Sequence, residues 1–415
     1  MKIIMLSWEY PPKSVGGLAQ HVYDLSSALA EVGEDLHLVT VGGPDSLPFE
    51  IINRVKVYRV CPYQISSLDF VHWVTQLNVA LMERAVSIMN EEGGFDLIHS
   101  HDWLSAYAAR ALKHIYKIPL VSTIHATEHG RNYGLHNNLQ KHISDVEWWL
   151  IFESWRIICC SQYMKKELRQ VFQVPADKIR VIPNGVNLSG FQVKDSPFNG
   201  ENQTFPNEKV ILFVGRLVRE KGVQVLIDAI PQILRKHPRT TFVIAGKGPY
   251  ESALRTQANM RGVTEHIHFA GYVNDEQRRT LYNIASVAVV PSLYEPFGIV
   301  ALEAMAAQAP LVVADTGGLG EIVTHGVDGL KAYPGNSHSL ADMILRILDD
   351  PILAVSLKQK AYHKAQTEYN WLEIAKQTRG VYREITGSEK GAMRSGGERR
   401  SNILDNLSRL FVRTS

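Results

Sequence analysis

The sequence has few cysteines, little net charge and no long hydrophobic run. Its 415 residues include three cysteines, Cys61, Cys159 and Cys160, and none of them forms a Cys-x-x-Cys pair. This excludes a disulfide-stapled scaffold and predicts reduced, buried thiols in a cytosolic protein. No apolar stretch approaches the roughly 18 residues that a membrane span requires. The apolar run at the N-terminus is short and ends at Glu9 without the features of a secretory signal, so we expect a cytoplasmic protein.

Charges of opposite sign nearly balance, because 44 basic residues stand against 42 acidic ones. The chain therefore gives no electrostatic reason to expect a nucleic-acid partner. The small excess lies in residues 386–415, which carry six basic and three acidic side chains. Apolar residues recur there at helical spacing between Ile403 and Phe411. We interpret this segment as a polar tail with a short amphipathic helix that packs on the body or on a partner, and the alternative is an anchor on an anionic membrane surface.

Short apolar runs alternate with helical patterns in two successive parts of the chain. Apolar strands separated by helices indicate a parallel sheet that is covered on both faces. Residues 191–208 are polar, contain two prolines and have no periodicity, so they predict a linker. The predicted strands are 3–8, 36–41, 55–60, 97–99, 120–124, 157–160 and 180–182, then 210–214, 242–245, 267–269, 287–290 and 311–314. The predicted helices are 18–32, 72–90, 103–116, 223–234, 251–260, 276–284, 299–307 and 340–348.

These patterns predict an α/β protein with two Rossmann-like domains, 1–190 and 209–368, whose parallel sheets face each other across a cleft. In such folds, ligands bind outside the carboxyl ends of the strands. Loops that follow predicted strands are therefore the first places to look for a site.

One such loop follows the first predicted strand and contains Gly16 and Gly17. Adjacent glycines let the backbone approach a ligand closely, and the next helix offers unpaired N–H groups and a partial positive charge. The loop lacks the Gly-x-Gly-x-x-Gly fingerprint of dinucleotide sites. A turn without a ligand is the alternative interpretation.

A second loop, residues 215–222, carries Arg216 and Lys221 between a predicted strand and a predicted helix. Arginine offers a bidentate fork for phosphate oxygens and lysine a compact charge, so the pair suits a diphosphate. The loop lacks the Walker A pattern. Loop charges that are merely solvated are the alternative.

A third segment places two acids, Glu295 and Glu303, around the start of a predicted helix. The first amides of that helix, at Ile299 and Val300 after Gly298, can bind an anion. Paired carboxylates also occur in glycoside hydrolases. Glu303 lies inside a helix rather than at a strand tip, so the pattern favours a role in holding a ligand.

His125 ends a predicted strand and precedes a polar loop, so we expect its side chain to point into the cleft. A buried structural histidine is the alternative. His99 and His101 alternate along another strand and share one face, which invites a metal interpretation. No third ligand has a convincing spacing, so we predict no metal and no resident cofactor.

Taken together and in this order, the motifs resemble those of the retaining glycosyltransferases of family four, which have the GT-B fold, over roughly residues 1–385. The glycogen and starch synthase branch is the most similar. The motifs that carry the resemblance are Trp8-Glu9-Tyr10-Pro11-Pro12, Gly16-Gly17-Leu18, His101-Asp102-Trp103, the His125 loop, Pro183-Asn184-Gly185-Val186, Arg216 with Lys221, Ala245-Gly246-Lys247-Gly248-Pro249, Glu295-Pro296-Phe297-Gly298 with Glu303, and Gly317-Gly318-Leu319-Gly320-Glu321.

The resemblance implies a hexosyltransferase whose donor is ADP-glucose or UDP-glucose and whose acceptor is a glucan or an oligosaccharide. It also implies that a helix at 369–385 crosses back to the first domain. In the implied donor complex, Glu303 contacts the ribose, and Glu295 and His125 contact the sugar. The diphosphate is contacted by Arg216, Lys221, Gly17 and the amides of Gly298, Ile299 and Val300.

Retention of the anomeric configuration without a carboxylate nucleophile implies a front-face path in which the leaving phosphate takes the acceptor proton. The cations that bind the diphosphate neutralise its charge, as a divalent metal would. Two other functions stay open. One is a transferase of the same fold with a small sugar acceptor, of the sucrose or trehalose type, or a lipid-linked one. The other is a binding protein for sugar nucleotides or glycans without catalysis. The sequence leaves the donor base and the oligomeric state open.

Overall fold

The computed structural model describes residues 1–13, 16–43, 46–63, 65–66, 69–191 and 208–387. Within these residues the chain forms two α/β domains, each built on one sheet. Residues 388–415, nearly all of the polar tail predicted at 386–415, and residues 192–207, nearly all of the predicted linker, lie outside the described residues.

The first sheet has the strand order β3-β4-β2-β1-β5-β6-β7-β8 and is parallel except for β3, which pairs antiparallel with β4. Its strands are β1 (Lys2–Leu6), β2 (Asp35–Val41), β3 (Phe49–Ile52), β4 (Val55–Val60), β5 (Leu97–His101), β6 (Leu120–Ile124), β7 (Arg156–Cys159) and β8 (Ile179–Val181). The helices of this part are α1 (Gly17–Glu31), α2 (Phe70–Glu92), α3 (Ala106–Tyr116), α4 (Glu128–Asn132), α5 (Asn138–Glu153) and α6 (Gln162–Phe172).

The second sheet is parallel and has the order β11-β10-β9-β12-β13-β14. Its strands are β9 (Lys209–Val214), β10 (Thr240–Ala245), β11 (Ile267–Gly271), β12 (Val287–Val290), β13 (Leu311–Ala314) and β14 (Leu330–Ala332). Its helices are α7 (Val223–Lys236), α8 (Glu251–Met260), α9 (Asp275–Ile284), α10 (Ile299–Ala306), α11 (Leu319–Ile322), α12 (Ser337–Asp349) and α13 (Pro351–Glu368). Short 3-10 turns lie at Trp103–Ser105, Ala176–Lys178, Leu188–Gly190, Arg219–Lys221 and Thr264–His266.

The central strands are mostly apolar because both faces of each sheet are covered by helices. In β1, Ile4 and Leu6 pack in the cluster that includes α2, α3, α5 and α6, while Ile3 and Met5 pack on the opposite face with α1. Alternate side chains of a strand point to opposite faces, so a strand with helices on both sides has few positions open to solvent. This confirms the predicted α/β class.

A final helix, α14 (371–387), packs on the first sheet although it follows the second one in the chain. Ile374 and Tyr382 are buried with Ile3 and Met5. The Tyr382 hydroxyl lies 2.7 Å from His99 Nδ1 on β5. The C-terminal end of the described chain therefore belongs to the core of the first domain.

Several features differ from the sequence predictions, among them helices α4, α6, α11 and α13 and strand β14, which were not predicted. Cys61 is exposed, so the prediction that all three thiols are buried is wrong for it. The edge strand β3 was not predicted because it is short and half exposed. Helix α5 was not predicted because large aromatic residues, Trp148 and Phe152, lie on its exposed face and weaken the amphipathic pattern. No helix among the described residues is long and apolar enough to cross a membrane.

Candidate active site

The loops that follow β1 and β12 meet where the two domains touch. Helix α1 begins at Gly17, and a Cβ atom on Gly17 would lie 3.1 Å from Ile299 Cδ1, in the first turn of α10. A larger residue would require the Ile299 side chain to move by a few tenths of an ångström. Glycine therefore eases the close approach of the two domains here.

Lys221 and Glu295 form an ion pair. Lys221 Nζ donates to Glu295 Oε2 at 2.7 Å, and Ser292 Oγ donates to the same oxygen at 3.1 Å. Glu295 is buried, whereas the Lys221 side chain is 26% exposed. The second-domain loops after β9 and β12 thus bring a predicted phosphate ligand and a predicted sugar ligand together.

Arg216 lies in the same loop as Lys221 but is exposed. Its side chain makes no hydrogen bond or ion pair with any described residue. The guanidinium is therefore available to a ligand, and no direct contact joins it to the other predicted site residues in the described part of the chain.

The start of α10 presents backbone amides. Gly298 precedes the helix with φ of +116°, and a Cβ there would lie 2.5 Å from Leu319 Cδ2, so both conformation and space require glycine. The amides of Ile299 and Val300 belong to the first helical turn, where no intrahelical acceptor exists. Such a turn carries partial positive charge and attracts anions.

Glu303 lies one turn further along α10 and is buried. Tyr282 donates to its Oε2 at 3.2 Å, and Arg278 Nη1 lies 3.5 Å from its Oε1. Burial raises the pKa of Glu303, and Arg278 and Tyr282 oppose the rise. Burial also raises the pKa of Asp24, on α1, to about 6, with Glu303 among the charges that add to the rise. Glu303 thus faces the first domain.

His125 follows β6 in the first domain and is held from two sides. Its backbone N–H donates to Asp102 Oδ1 at 2.8 Å, and its Nε2 lies 3.2 Å from His101 Nδ1. Burial and the nearby Arg131 lower the pKa of His125 to about 3. The imidazole is therefore neutral at pH 7 and acts through hydrogen bonds rather than as a cation.

His21, on α1, completes a histidine cluster that the sequence analysis missed. One ring nitrogen from each of His21, His101 and His125 lies within 4.8 Å of the others, so a third potential metal ligand does exist. The signal was available, since His21 lies one helical turn after Gly17. However, both His21 nitrogens and His101 Nε2 are buried without a hydrogen-bond partner among the described residues. Metal-ligating histidines normally donate their other N–H to an acceptor, so these residues fit a metal poorly.

The two halves of the candidate site are linked through Cys160. Its thiol lies 3.6 Å from the Pro296 carbonyl, next to Glu295. Burial raises the pKa of Cys160, and both Glu295 and Asp102 lie close enough to add to the rise. The His125 loop and the Glu295 loop are therefore on the two sides of one cleft.

A carboxylate from the second domain accepts hydrogen bonds from the N-terminal backbone amides of α6. The Glu321 carboxylate accepts from the backbone N–H groups of Gln162 at 2.9 Å and Tyr163 at 2.7 Å. Ser161 Oγ donates to the Pro296 carbonyl at 2.7 Å. These hydrogen bonds fix the position of one domain relative to the other beside the cleft.

Comparison with known proteins gives the family. The model of glycosyltransferase family 4 matches residues 15–189, and that of glycosyl transferases group 1 matches residues 196–364. An uncharacterized glycosyltransferase of Methanocaldococcus jannaschii is 41% identical over 92% of this chain and 98% of its own length. A glycogen synthase of Mycobacterium tuberculosis is 37% identical over 92% of this chain and 94% of its own length. The solved sucrose-phosphate synthase of Thermosynechococcus elongatus superposes with a TM-score of 0.80 at 26% identity, over 94% of this chain and 100% of that one. The chain belongs to glycosyltransferase family four, has the GT-B fold and is a hexosyltransferase similar to the glycogen and starch synthase branch.

Proposed function

We propose that this hexosyltransferase moves glucose from ADP-glucose or UDP-glucose to an α-glucan with retention of configuration. The observation that carries the proposal is the Lys221–Glu295 pair. It lies next to the amide-rich start of α10 and across the cleft from His125. One such cleft offers a cation for a diphosphate and a carboxylate for sugar hydroxyls.

The donor diphosphate is assigned to the second domain. Arg216 and Lys221 neutralise its charge, and the amides of Ile299 and Val300 donate to its oxygens. Gly17 lets the first domain close over it. Glu303 accepts from the ribose hydroxyls. In this scheme no divalent metal is required for charge neutralisation, because two side-chain cations supply it.

The reaction proceeds on one face of the sugar. The acceptor hydroxyl oxygen bonds to the anomeric carbon on the side from which the diphosphate leaves, and the bond between that carbon and the phosphate oxygen breaks. The departing phosphate oxygen takes the acceptor proton. Glu295 and His125 hold the sugar, and His125 supports the positive charge that develops near the anomeric centre. The protein contributes position and electrostatic stabilisation.

A glucan acceptor is favoured by the glycogen synthase of M. tuberculosis, which is similar over nearly the whole chain. The test is a donor panel of ADP-glucose, UDP-glucose and GDP-glucose against maltoheptaose and glycogen, with nucleotide release and linkage analysis of the product. Lys221→Ala protein gives the background. Folded wild-type protein that releases no more nucleotide than this variant, with every donor and acceptor, would overturn the proposal.

A small acceptor is the second candidate, because the structurally similar sucrose-phosphate synthase is named for a small sugar product. The same panel therefore includes monosaccharides, their phosphates and a lipid-linked sugar. Transfer to one of these and not to maltoheptaose selects this candidate. Sedimentation with anionic liposomes, with and without residues 386–415, tests the lipid-linked form, and equal, negligible binding would discard it.

A further inference from the structure

A groove of about 770 Å³ lies in the first domain, apart from the residues assigned to the donor. It lies between α4, α5 and α6, and we name it the aromatic groove after Tyr133, Trp148 and Tyr163, which line it. Two of these rings are open to solvent, since Tyr133 is 65% and Trp148 47% exposed. A volume of this size is in the upper part of the range for small-molecule sites, which is more than one hexose needs.

Polar side chains without partners alternate with the rings. Asp145, Lys166 and Gln170 line the groove, and none of their side chains makes a hydrogen bond or ion pair with a described residue. Their donors and acceptors are available to a ligand. The lining carries Lys166 against Asp145 and Glu167, so it has no excess of positive charge to attract a phosphate or a nucleic acid, which favours a neutral ligand rich in hydroxyls.

Exposed aromatic faces suit the same ligand. A ring carries negative charge on its face, so it attracts the weakly positive C–H groups on the flat side of a pyranose. Phe152, one turn further along α5, packs face to face against Trp148 with ring centroids 5.4 Å apart. Phe152 thus supports the Trp148 ring, which still has 47% of its surface exposed to a ligand.

The groove also reaches the candidate active site. The Tyr163 ring lies 6.1 Å from that of Tyr294, the residue before Glu295. The Tyr294 hydroxyl donates to Glu167, which Thr127 also contacts, so the wall between groove and cleft is fixed by hydrogen bonds. At the other rim, Tyr133 lies near Arg219 and Glu220, which precede Lys221 on the loop after β9.

From this placement we propose that the aromatic groove binds a neutral oligosaccharide, as the subsite that holds the acceptor chain away from its reacting end. The inference rests on the proposed transfer to glucan and deepens it. It commits to sugar stacking on Trp148 and Tyr133, with hydroxyl hydrogen bonds to Asp145, Lys166 and Gln170.

The experiment measures maltoheptaose binding to the full chain by isothermal titration, together with the KM and kcat for maltoheptaose and for maltose. The variants are Trp148→Ala and Tyr133→Asn, the latter because Tyr133 has φ of +53°, which asparagine tolerates. The matched control is Tyr333→Ala, an aromatic residue that is 76% exposed in the second domain. Thermal unfolding verifies that each variant is folded.

We expect each groove variant to bind maltoheptaose about tenfold more weakly and to raise its KM similarly, while kcat and the KM for maltose stay unchanged. Wild-type affinity in both variants, or an equal loss in Tyr333→Ala, would overturn the inference. A concentration-dependent dimer that disappears in Trp148→Ala would also overturn the inference, because the groove would then be the interface between two copies of the chain.

The inference and the proposed function fail separately. If maltoheptaose binding depends on Trp148 but no donor supports glucosyl transfer, the oligosaccharide subsite is supported and the glucan transferase activity is rejected. If both groove variants transfer glucose to maltoheptaose with wild-type kinetics, the glucan transferase activity is supported and the oligosaccharide subsite is rejected.

Discussion

At the scale of single residues, the two cations of the 215–222 loop differ in their surroundings. Lys221 is paired with the buried Glu295, whereas Arg216 is exposed and makes no side-chain bond with a described residue. A buried carboxylate that loses its cation is destabilised, while an exposed arginine contributes little to folding. Substitution of Arg216 should therefore affect donor binding alone, whereas substitution of Lys221 should affect both donor binding and stability.

We expect Arg216→Ala and Lys221→Ala each to lose about 2–4 kcal/mol of transition-state stabilisation, roughly 30- to 1,000-fold in kcat/KM. Only Lys221→Ala should also lower the melting temperature, because it leaves Glu295 unpaired. Steady-state kinetics and thermal unfolding measure both effects. Arg235→Ala, at an exposed arginine of α7, serves as the control. Wild-type kcat/KM in Arg216→Ala would contradict the assignment.

The buried histidines give the protein a second residue-scale property, which is sensitivity to acid. Burial, with His21 and His125 nearby, lowers the pKa of His99 to about 3. An unfolded histidine titrates near 6.5. Because the folded pKa is the lower one, the stability from neutral His99 is complete above about pH 6.5 and is lost as the pH falls toward 3.

His99→Gln should therefore weaken the dependence of stability on pH. Below about pH 6 we expect the slope of unfolding free energy against pH to fall by up to about 1.4 kcal/mol per pH unit, the value for one proton. Urea unfolding at pH 6, pH 5 and pH 4 measures the slope. His363→Gln, at an exposed histidine, should keep the wild-type slope. An unchanged slope in His99→Gln would show that His99 already binds its proton in the folded state.

At the scale of elements, α6 depends on a residue from the other domain. Its N-cap, Ser161, accepts from Met164 N–H, but the N–H groups of Gln162 and Tyr163 bond to Glu321 of the second domain. A carboxylate at this end also interacts favourably with the helix dipole. Helix α6 in turn forms one wall of the aromatic groove.

Glu321→Ala should destabilise the protein by about 0.5–2 kcal/mol, the usual effect of losing an N-terminal cap. The matched control is Glu373→Ala, whose carboxylate is 58% exposed and, among the described residues, pairs with Lys376 alone, three residues away. Thermal unfolding of both variants gives the comparison. Equal melting temperatures for the two variants would mean that the interdomain cap contributes nothing measurable.

At the scale of the whole molecule, the chain passes from the first domain to the second and returns. Helix α14 buries Ile374 and Tyr382 in the first core, and Arg156 and Arg180 bond to Glu384 near its end. The chain therefore joins the domains at two places, which constrains how the cleft can open.

Ile374→Ala should destabilise the first domain by about 2–5 kcal/mol, since it removes a fully buried side chain. Leu372→Ala, at a position that is 37% exposed, should have a smaller effect. Hydrogen exchange separates the domains, because amides of β1 should exchange faster in Ile374→Ala while those of β9 keep their rates. Faster exchange confined to β9 would contradict the packing of α14.

Much of this architecture could be read from local patterns. Mostly apolar strands between amphipathic helices led to the α/β class, since a strand covered on both faces has few positions open to solvent. The two loops that proved to be joined, at Lys221 and Glu295, were found because each follows a predicted strand. Helices α4, α5, α6, α11 and α13 were missed, and α5 shows one reason, because Trp148 and Phe152 lie on its solvent side.

The sequence by itself determined the fold class and the family and predicted the residue types of the candidate site, because these depend on periodicity and on motifs that are local in the chain. Only the tertiary structure decided which distant residues touch. It brought His21 to His101 and His125, capped α6 with Glu321, and enclosed the aromatic groove. Such contacts follow from the packing of helices that are far apart in sequence, and no local pattern records that packing.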